Sequence, residues 1–329
     1  MDVTVCGLSA FHFYRMPPGL RQKSLNKLAE GGMAALDSRV GARELFQNPI
    51  YCLCERGGAV PAGTVPLFAP GGLVEGSTVE VAQGLSVTTP EATLLTMAGQ
   101  VGFNVLMMAM CEMCGRFSAY RPSCSMRVLH GEDAWEGGAI CDDCLVREPL
   151  VTAAGLRSYA AGVPGSAAAG AFARAADQVV DGVTSPFEAR VSLLLRAARS
   201  LGGQGLRSLE VRELGRDDAG PIRTLVLEGR DGAPAVAIDC VRSRPYADER
   251  GCADASARVV DAARTAGLEV VHVGAGNLQN AFELSVWTRY VMYRAGYNPR
   301  PKTERYQLRE EELRRDVTHP WWAAFGPPR

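Results

Sequence analysis

Three acidic side chains in the second half of this 329-residue chain have the types and spacing that metal-dependent phosphodiester chemistry uses. Glu188 stands in Ser185-Pro-Phe-Glu188, which reads as a helix start. Glu228 closes a candidate strand, and Asp239 lies in the next one, Ala-Val-Ala-Ile-Asp239-Cys-Val241. Acids on a helix and on two adjacent strands can converge on one Mg2+, which orients and activates water at a phosphodiester. A second set is sulfur. Cys111-Glu-Met-Cys114 and Cys141-Asp-Asp-Cys144 are two C-x2-C pairs separated by 26 residues. That is the ligand spacing of a structural Zn2+ site built from four thiolates, with Cys124 as a spare ligand. The alternative for the first pair is two free thiols on a buried helix. A redox C-x-x-C needs a surrounding βα element, which neither pair has.

The four histidines, His12, His130, His272 and His319, adjoin no nucleophile motif such as G-x-S-x-G. No strand is followed by G-x-G-x-x-G, and there is no P-loop. Hydrolase, NTPase and dehydrogenase readings therefore have no residues to rest on. His272 falls on an apolar strand and is expected as a satisfied core residue.

The elements that must position these groups follow from periodicity and punctuation. In the first half, a helix over Ser9–Tyr14 stops at Pro17-Pro18. Strands are expected at Asn48–Cys54 and Thr64–Phe68, and a hairpin from Thr78–Val81 and Leu85–Val87 around Gln83-Gly84. Thr88-Thr-Pro90-Glu91 opens a helix, with proline in the first turn and an acid at the positive end of the dipole. A Met-rich helix spans Asn104–Met113, and 115–146 shows little regular pattern, as a metal-held loop would. The Gly/Ala/Pro stretch around Gly162-Val-Pro164-Gly marks a linker over 161–182, which carries a small helix Ala171–Val180.

The second half alternates. A helix runs from Ser185 to Leu201 and ends at Gly202-Gly203. Strands follow at Leu209–Leu214, Arg223–Glu228 and Ala235–Val241. A helix over Ala253–Ala266, a strand over Leu268–Val273 and a helix over Gln279–Arg294 complete an αβββαβα order, an α/β sandwich on a mixed sheet. The tail 297–329 is Pro-rich. Its helix Arg309–Arg315 is expected to carry i,i+4 pairs Glu310–Arg314 and Glu311–Arg315, with Trp321-Trp322 beyond it as an anchor. The chain thus divides into 1–160, which includes the Cys-pair segment 111–146, the linker 161–182, the α/β unit 183–296 and the tail.

With 35 basic and 36 acidic residues the net charge is −1, so there is no global footprint for nucleic acid. Arg116, Arg121 and Arg127 near the cysteines make a thin patch. The start Met-Asp-Val-Thr-Val-Cys6 is not a signal peptide, and the most apolar run, Val105 to Cys111, is too short to span a bilayer. The expectation is a cytoplasmic protein with no membrane partner, its thiols reduced or on metal.

Two resemblances add to this. Ser185-Pro-Phe-Glu188, Leu201-Gly-Gly-Gln-Gly-Leu206, the strand with Asp239 and Ala263-Arg-Thr-Ala-Gly-Leu-Glu-Val-Val-His-Val273 resemble the PD-(D/E)XK nuclease superfamily, in the branch of very-short-patch-repair endonucleases. The resemblance makes Glu188 the helical acid, puts Glu228 where the family's metal-binding Asp stands, and makes Asp239 the first acid of the (D/E)-x-K motif. Val241 replaces the polar residue that would position water, which implies a restriction-endonuclease-like fold that has lost catalysis. Leu8-Ser-Ala-Phe11-His-Phe-Tyr14-Arg and Gly84-Leu-Ser-Val-Thr-Thr-Pro90-Glu91-Ala-Thr-Leu-Leu95 are similar to the antitoxin domain of AbiE-type abortive-infection systems.

Together these imply a two-domain α+β and α/β protein. A mixed α+β antitoxin-like unit with a zinc-ribbon-like segment precedes the inactive nuclease-like sandwich. The implied role is a toxin–antitoxin or phage-defence interaction protein, with a nucleotidyltransferase-like toxin as partner. The alternatives are an active Mg2+-dependent DNA endonuclease using Glu188, Glu228 and Asp239, and a zinc-containing DNA-binding regulator.

Overall fold

The computed structural model describes residues 3–30, 40–55, 59–69, 72–120, 140–141, 144–163, 165–240 and 249–319. The chain is a mixed α+β protein. Cys124, His130, Arg121, Arg127, Val241, Trp321 and Trp322 lie outside the described residues.

The first half is built on β1 (Val3–Val5), α1 (Gly7–Arg15), α2 (Pro18–Glu30), α3 (Val40–Phe46), β2 (Ile50–Leu53), β3 (Thr64–Leu67), β4 (Thr78–Ala82) and β5 (Leu85–Thr88). These strands form one sheet in the order β3-β2-β1-β5-β4, with β1 parallel to β5. The β4–β5 hairpin turns at Gln83-Gly84 as expected, and Gly84 supplies the positive φ of 69°. One apolar cluster closes this half. Phe13 stacks on Phe46 at 5.9 Å, among Leu28, Leu45, Ile50 and Val87.

Two helices follow, α4 (Pro90–Met97) and α5 (Phe103–Cys114). Thr89 caps α4 through Ala92, with Pro90 in the first turn and Glu91 at its positive end. Helix α4 in turn holds the start of α1. The Thr96 hydroxyl accepts the N–H of Gly7 at 3.0 Å, and Oε1 of Gln100 accepts that of Leu8 at 2.9 Å. Those two amides would otherwise be unpaired at a helix start.

The segment expected to be irregular contains β6 (Phe117–Ser118), β7 (Ile140–Cys141) and β8 (Cys144–Val146), hydrogen-bonded in the order β6-β8-β7. Then come α6 (Ala153–Gly162) and α7 (Ala167–Ala176). Within the stretch 161–182, expected as a linker, the part from Ala169 on packs into the core. Its small helix is α7, and Phe172, Ala175, Ala176, Val179 and Val180 are buried. They belong to one continuous apolar cluster that runs from Leu8 to Val317 and takes residues from both halves. The sequence misled here because Ala-rich helices and Gly/Ala linkers have the same composition, and burial of Phe172 is a long-range fact.

The second half comprises α8 (Pro186–Arg196), a 3-10 turn (Arg199–Leu201), β9 (Leu209–Asp217), β10 (Gly220–Leu227), β11 (Val236–Cys240), α9 (Glu249–Thr265), β12 (Glu269–Val273), α10 (Ala275–Gln279) and α11 (Ala281–Arg294). The expected element order holds. The sheet reads β12-β11-β10-β9, with β9, β10 and β11 antiparallel in turn and β11 parallel to β12. The helix expected over Gln279–Arg294 is α11, and a short helix, α10, precedes it that was not expected. Asn280 separates the two: its side chain accepts the N–H of Glu283 at 2.8 Å and caps α11.

The last helix, α12 (Glu304–Thr318), is longer than its charge pattern suggested, and the expected i,i+4 pairs do not form. Glu310 is turned inward onto Lys302, 2.7 Å away, while Arg314 bonds Glu311. Glu310 faces the protein, beside Gln204 and Tyr306, so it is a core acid rather than a surface one. No helix among the described residues is long and apolar enough to cross a membrane.

Candidate functional site

Asp239 is the centre of the strongest polar constellation on the second sheet. Strand β11 lies between β10 and β12, and α9 packs across all three strands. The Asp239 carboxylate is nearly fully buried. One of its oxygens receives Nδ1 of His272 at 2.8 Å and the hydroxyl of Ser256 from α9. Asp239 and His272 are direct partners in the parallel β11–β12 register. His272 is not the core residue expected. Its side chain is 56% exposed while Asp239 is 5% exposed, so an accessible imidazole stands on a buried, oriented carboxylate. Strand alternation carried the signal: Val271 and Val273 point inward, which sends His272 outward. Ser256 gave no signal in sequence, because its role depends on how α9 crosses the sheet. An Asp-held imidazole is the orienting half of general acid–base machinery.

Glu188 is placed elsewhere and is used differently. It is the third residue of α8, where the Ser185 hydroxyl accepts its N–H at 3.2 Å. Its own carboxylate accepts from the Thr184 N–H at 2.5 Å and from the Thr184 hydroxyl at 2.8 Å. This is reciprocal capping of a helix start, which the motif Ser-Pro-Phe-Glu encodes locally.

Glu228 departs furthest from its expected role. The antiparallel register pairs Leu225 with Ile238, which puts Thr224 opposite Asp239. Glu228 is four residues beyond Thr224, about 13 Å along the chain at a strand's rise. Its carboxylate forms an ion pair with Arg212 of β9, and the side chain is 47% exposed. Glu188, Glu228 and Asp239 therefore do not share one ligand sphere. Among the described residues no three His, Cys, Asp or Glu side chains come together as a metal site requires. On helix α9, Arg258 is committed to Asp217 of β9 at 2.5 Å.

The cysteines are distributed as follows. Cys111 and Cys114 are fully buried at the end of α5, within the main apolar cluster. Burial pushes the Cys111 thiol up to about 12, although the Val180 backbone and the Ser192 hydroxyl lie in hydrogen-bond reach of it. Cys114 is raised as well, by burial and then by the Asp181 carboxylate, to which it is hydrogen-bonded. Cys144 is buried in β8, and Cys141 stands opposite it in the β7–β8 pair. The side chain of Cys141 is outside the described residues.

Sequence reasoning missed one buried ionic cluster. Arg15 of α1 donates twice to Glu112 of α5, at 2.7 Å each, with the side chains 4% and 0% exposed. Ala119 donates its N–H to the same carboxylate at 3.0 Å. Arg147 donates to the carbonyls of Phe117, Tyr14 and Glu112. These bonds all run within the fold, so the cluster ties α1, α5, β6 and the residue after β8 together.

Helix α11 shows a different kind of surface. Leu284, Trp287, Thr288, Val291 and Met292 are buried. Phe282, Val286, Tyr290 and Tyr293 are exposed at spacings of four, four and three, and so share the opposite face. Phe282 and Tyr293 are 73% and 77% exposed.

Comparison with protein-family models, curated proteins and solved structures finds no match to this chain.

Proposed function

We propose that this chain is an interaction protein of the toxin–antitoxin or phage-defence kind, and that its nuclease-like half binds without cutting. One observation carries this reading. Glu228, the acid that would complete a metal-binding set with Asp239, lies about 13 Å along the strand from the position opposite Asp239. It is spent on Arg212. Glu188 is spent on capping α8. A Mg2+-dependent nuclease needs such carboxylates on one cation. The exposed apolar stripe of α11 supports a protein partner, because contiguous exposed apolar surface on a folded protein marks contact sites. The resemblance of residues 8–15 and 84–95 to AbiE-type antitoxins supports a nucleotidyltransferase-like toxin in that role.

The test has two arms. Plasmid, linear and single-stranded DNA incubated in Mg2+ or Mn2+ should stay intact, with the wild type indistinguishable from Glu188→Ala/Asp239→Ala. Metal-dependent cleavage that the double variant abolishes would establish the endonuclease instead. Co-expressed nucleotidyltransferase-like toxin should co-purify with the wild type and be lost from Phe282→Ser/Tyr293→Ser.

A further inference from the structure

Helix α12 starts at Thr303, whose hydroxyl accepts the N–H of Tyr306 at 3.3 Å. Its first turns lie against the 3-10 turn Arg199–Leu201. Gly202 closes that turn at φ 94°, and a Cβ there would stand 2.2 Å from the carbonyl oxygen of Arg309. Only glycine permits so close an approach. Between the turn, the segment entering α12 and the helix itself is an open cavity of about 510 Å3. Arg199, Arg300, Arg305 and Arg309 line it, together with Ser200 and Thr303, and no carboxylate does.

The floor is rigid and electrically settled. Tyr306 hydrogen-bonds Glu310 at 3.0 Å and receives Nε2 of Gln204 at 2.8 Å. Lys302 neutralises Glu310 at 2.7 and 2.9 Å. Burial, followed by the Glu310 charge, raises the Tyr306 phenol, so it stays neutral. The Arg199 guanidinium lies over the Tyr306 ring, 4.1 Å from its centroid, and donates one N–H to the carbonyl of Pro301 at 3.1 Å. A guanidinium has five N–H donors, so most of this fork remains for a ligand. Arg309 bonds Glu312 at 2.6 Å. Among the described residues Arg300 and Arg305 have no carboxylate partner and are exposed.

Four guanidinium groups surround one cavity, and among the described residues only that of Arg309 has a carboxylate partner, so an anion bound between them would relieve their mutual repulsion. Guanidinium forks match phosphate oxygens two at a time. We propose that this cavity binds a compact ligand bearing two or more phosphate groups. The arginines come from three segments and surround one space, whereas a site for a nucleic-acid backbone would string them along a face. The proposal uses none of Glu188, Glu228 or Asp239 and stands apart from the functional reading above.

The experiment is a calorimetric titration of the full chain with pyrophosphate at low salt, repeated with a single-stranded oligonucleotide that presents phosphodiesters only. Pyrophosphate should bind, and rising salt should weaken it. Arg300→Ala and Arg305→Ala should each weaken it by about tenfold or more, since charge-assisted bonds are lost. Neither side chain holds a carboxylate, so the variants should melt like the wild type. Arg289→Ala, exposed on α11, should bind as the wild type does. Absence of pyrophosphate binding at millimolar concentration, or binding that both arginine variants leave unchanged, would overturn the site. So would oligonucleotide binding with this arginine dependence but no pyrophosphate binding.

Discussion

Nδ1 of His272 lies 2.8 Å from the carboxylate of Asp239, its direct neighbour across the parallel β11–β12 pair. The same oxygen takes the Ser256 hydroxyl, so one buried acid joins two strands and helix α9.

That geometry separates the worth of the three partners. Asp239→Ala leaves two polar groups without their acceptor and should cost about 1–3 kcal/mol in urea unfolding. His272→Ala removes a largely exposed side chain and should cost less than about 1 kcal/mol. Equal losses would show that the imidazole–carboxylate contact, rather than the carboxylate's bond to Ser256, is what anchors the sheet.

The Arg15–Glu112 pair should dominate the acid response. Burial alone would raise the Glu112 carboxyl, but the Arg15 guanidinium, its two hydrogen bonds and then Arg147 outweigh it, holding the carboxyl below its ordinary 4.5. A carboxyl lowered in the folded state contributes stability that is complete above the unfolded value and is lost as pH falls through the folded one. Glu112→Gln should therefore destabilise the protein at neutral pH by about 3–5 kcal/mol, because the buried Arg15 charge loses its carboxylate. Its melting temperature should also fall less than that of the wild type between neutral pH and about pH 3. Parallel acid profiles would assign the acid sensitivity to other carboxylates.

Cys111 and Cys114 should resist alkylation. Iodoacetamide attacks the thiolate, and both groups are buried and raised, Cys111 to about 12. Native protein labelled at about pH 8 and mapped by mass spectrometry should carry label on the half-buried Cys54 and Cys240 before either of them. Early labelling on α5 would mean that the helix end opens readily.

Gly203→Ala should be severe for a steric reason. A Cβ at that position would stand 2.1 Å from the carbonyl oxygen of Ala197, a backbone atom with little room to move. Destabilisation above about 2 kcal/mol is expected, measured by thermal melting. A neutral substitution would show that the turn after α8 can shift.

What the sequence made legible was what it encodes locally. Gln83-Gly84 set the hairpin, Thr89-Pro90 set the start of α4, and Ser185-Pro186 set the start of α8, each through a turn or cap completed within a few residues. Glu188 illustrates the limit. A capping acid and a catalytic helical acid occupy the same motif, and the difference lies in whether a second carboxylate arrives from another strand. Glu228 does not, because the β10–β11 register puts Thr224 opposite Asp239. Register is a property of the pair of strands. The Arg15–Glu112 and Glu310–Lys302 pairs were illegible for a related reason: a charge's burial depends on what crosses over it. The arginine cavity had a partial local trace in Arg300, Lys302, Arg305 and Arg309, a basic stretch with Glu304 as its one acid.

The continuous cluster from Leu8 to Val317 bears on how the protein is made. The buried members of the smaller apolar cluster all fall within residues 5–87, with Tyr120 packed against them from downstream, so most of it can close while the rest of the chain is still being synthesised. The larger one cannot. Helix α12 packs on α5, and Asn104 donates to Asp316 at 2.8 Å, so α5 waits for a partner about two hundred residues downstream. Until that stretch leaves the ribosome, the side of α5 that α12 packs on stays uncovered, although α4, α7 and α8 are already there to cover the rest.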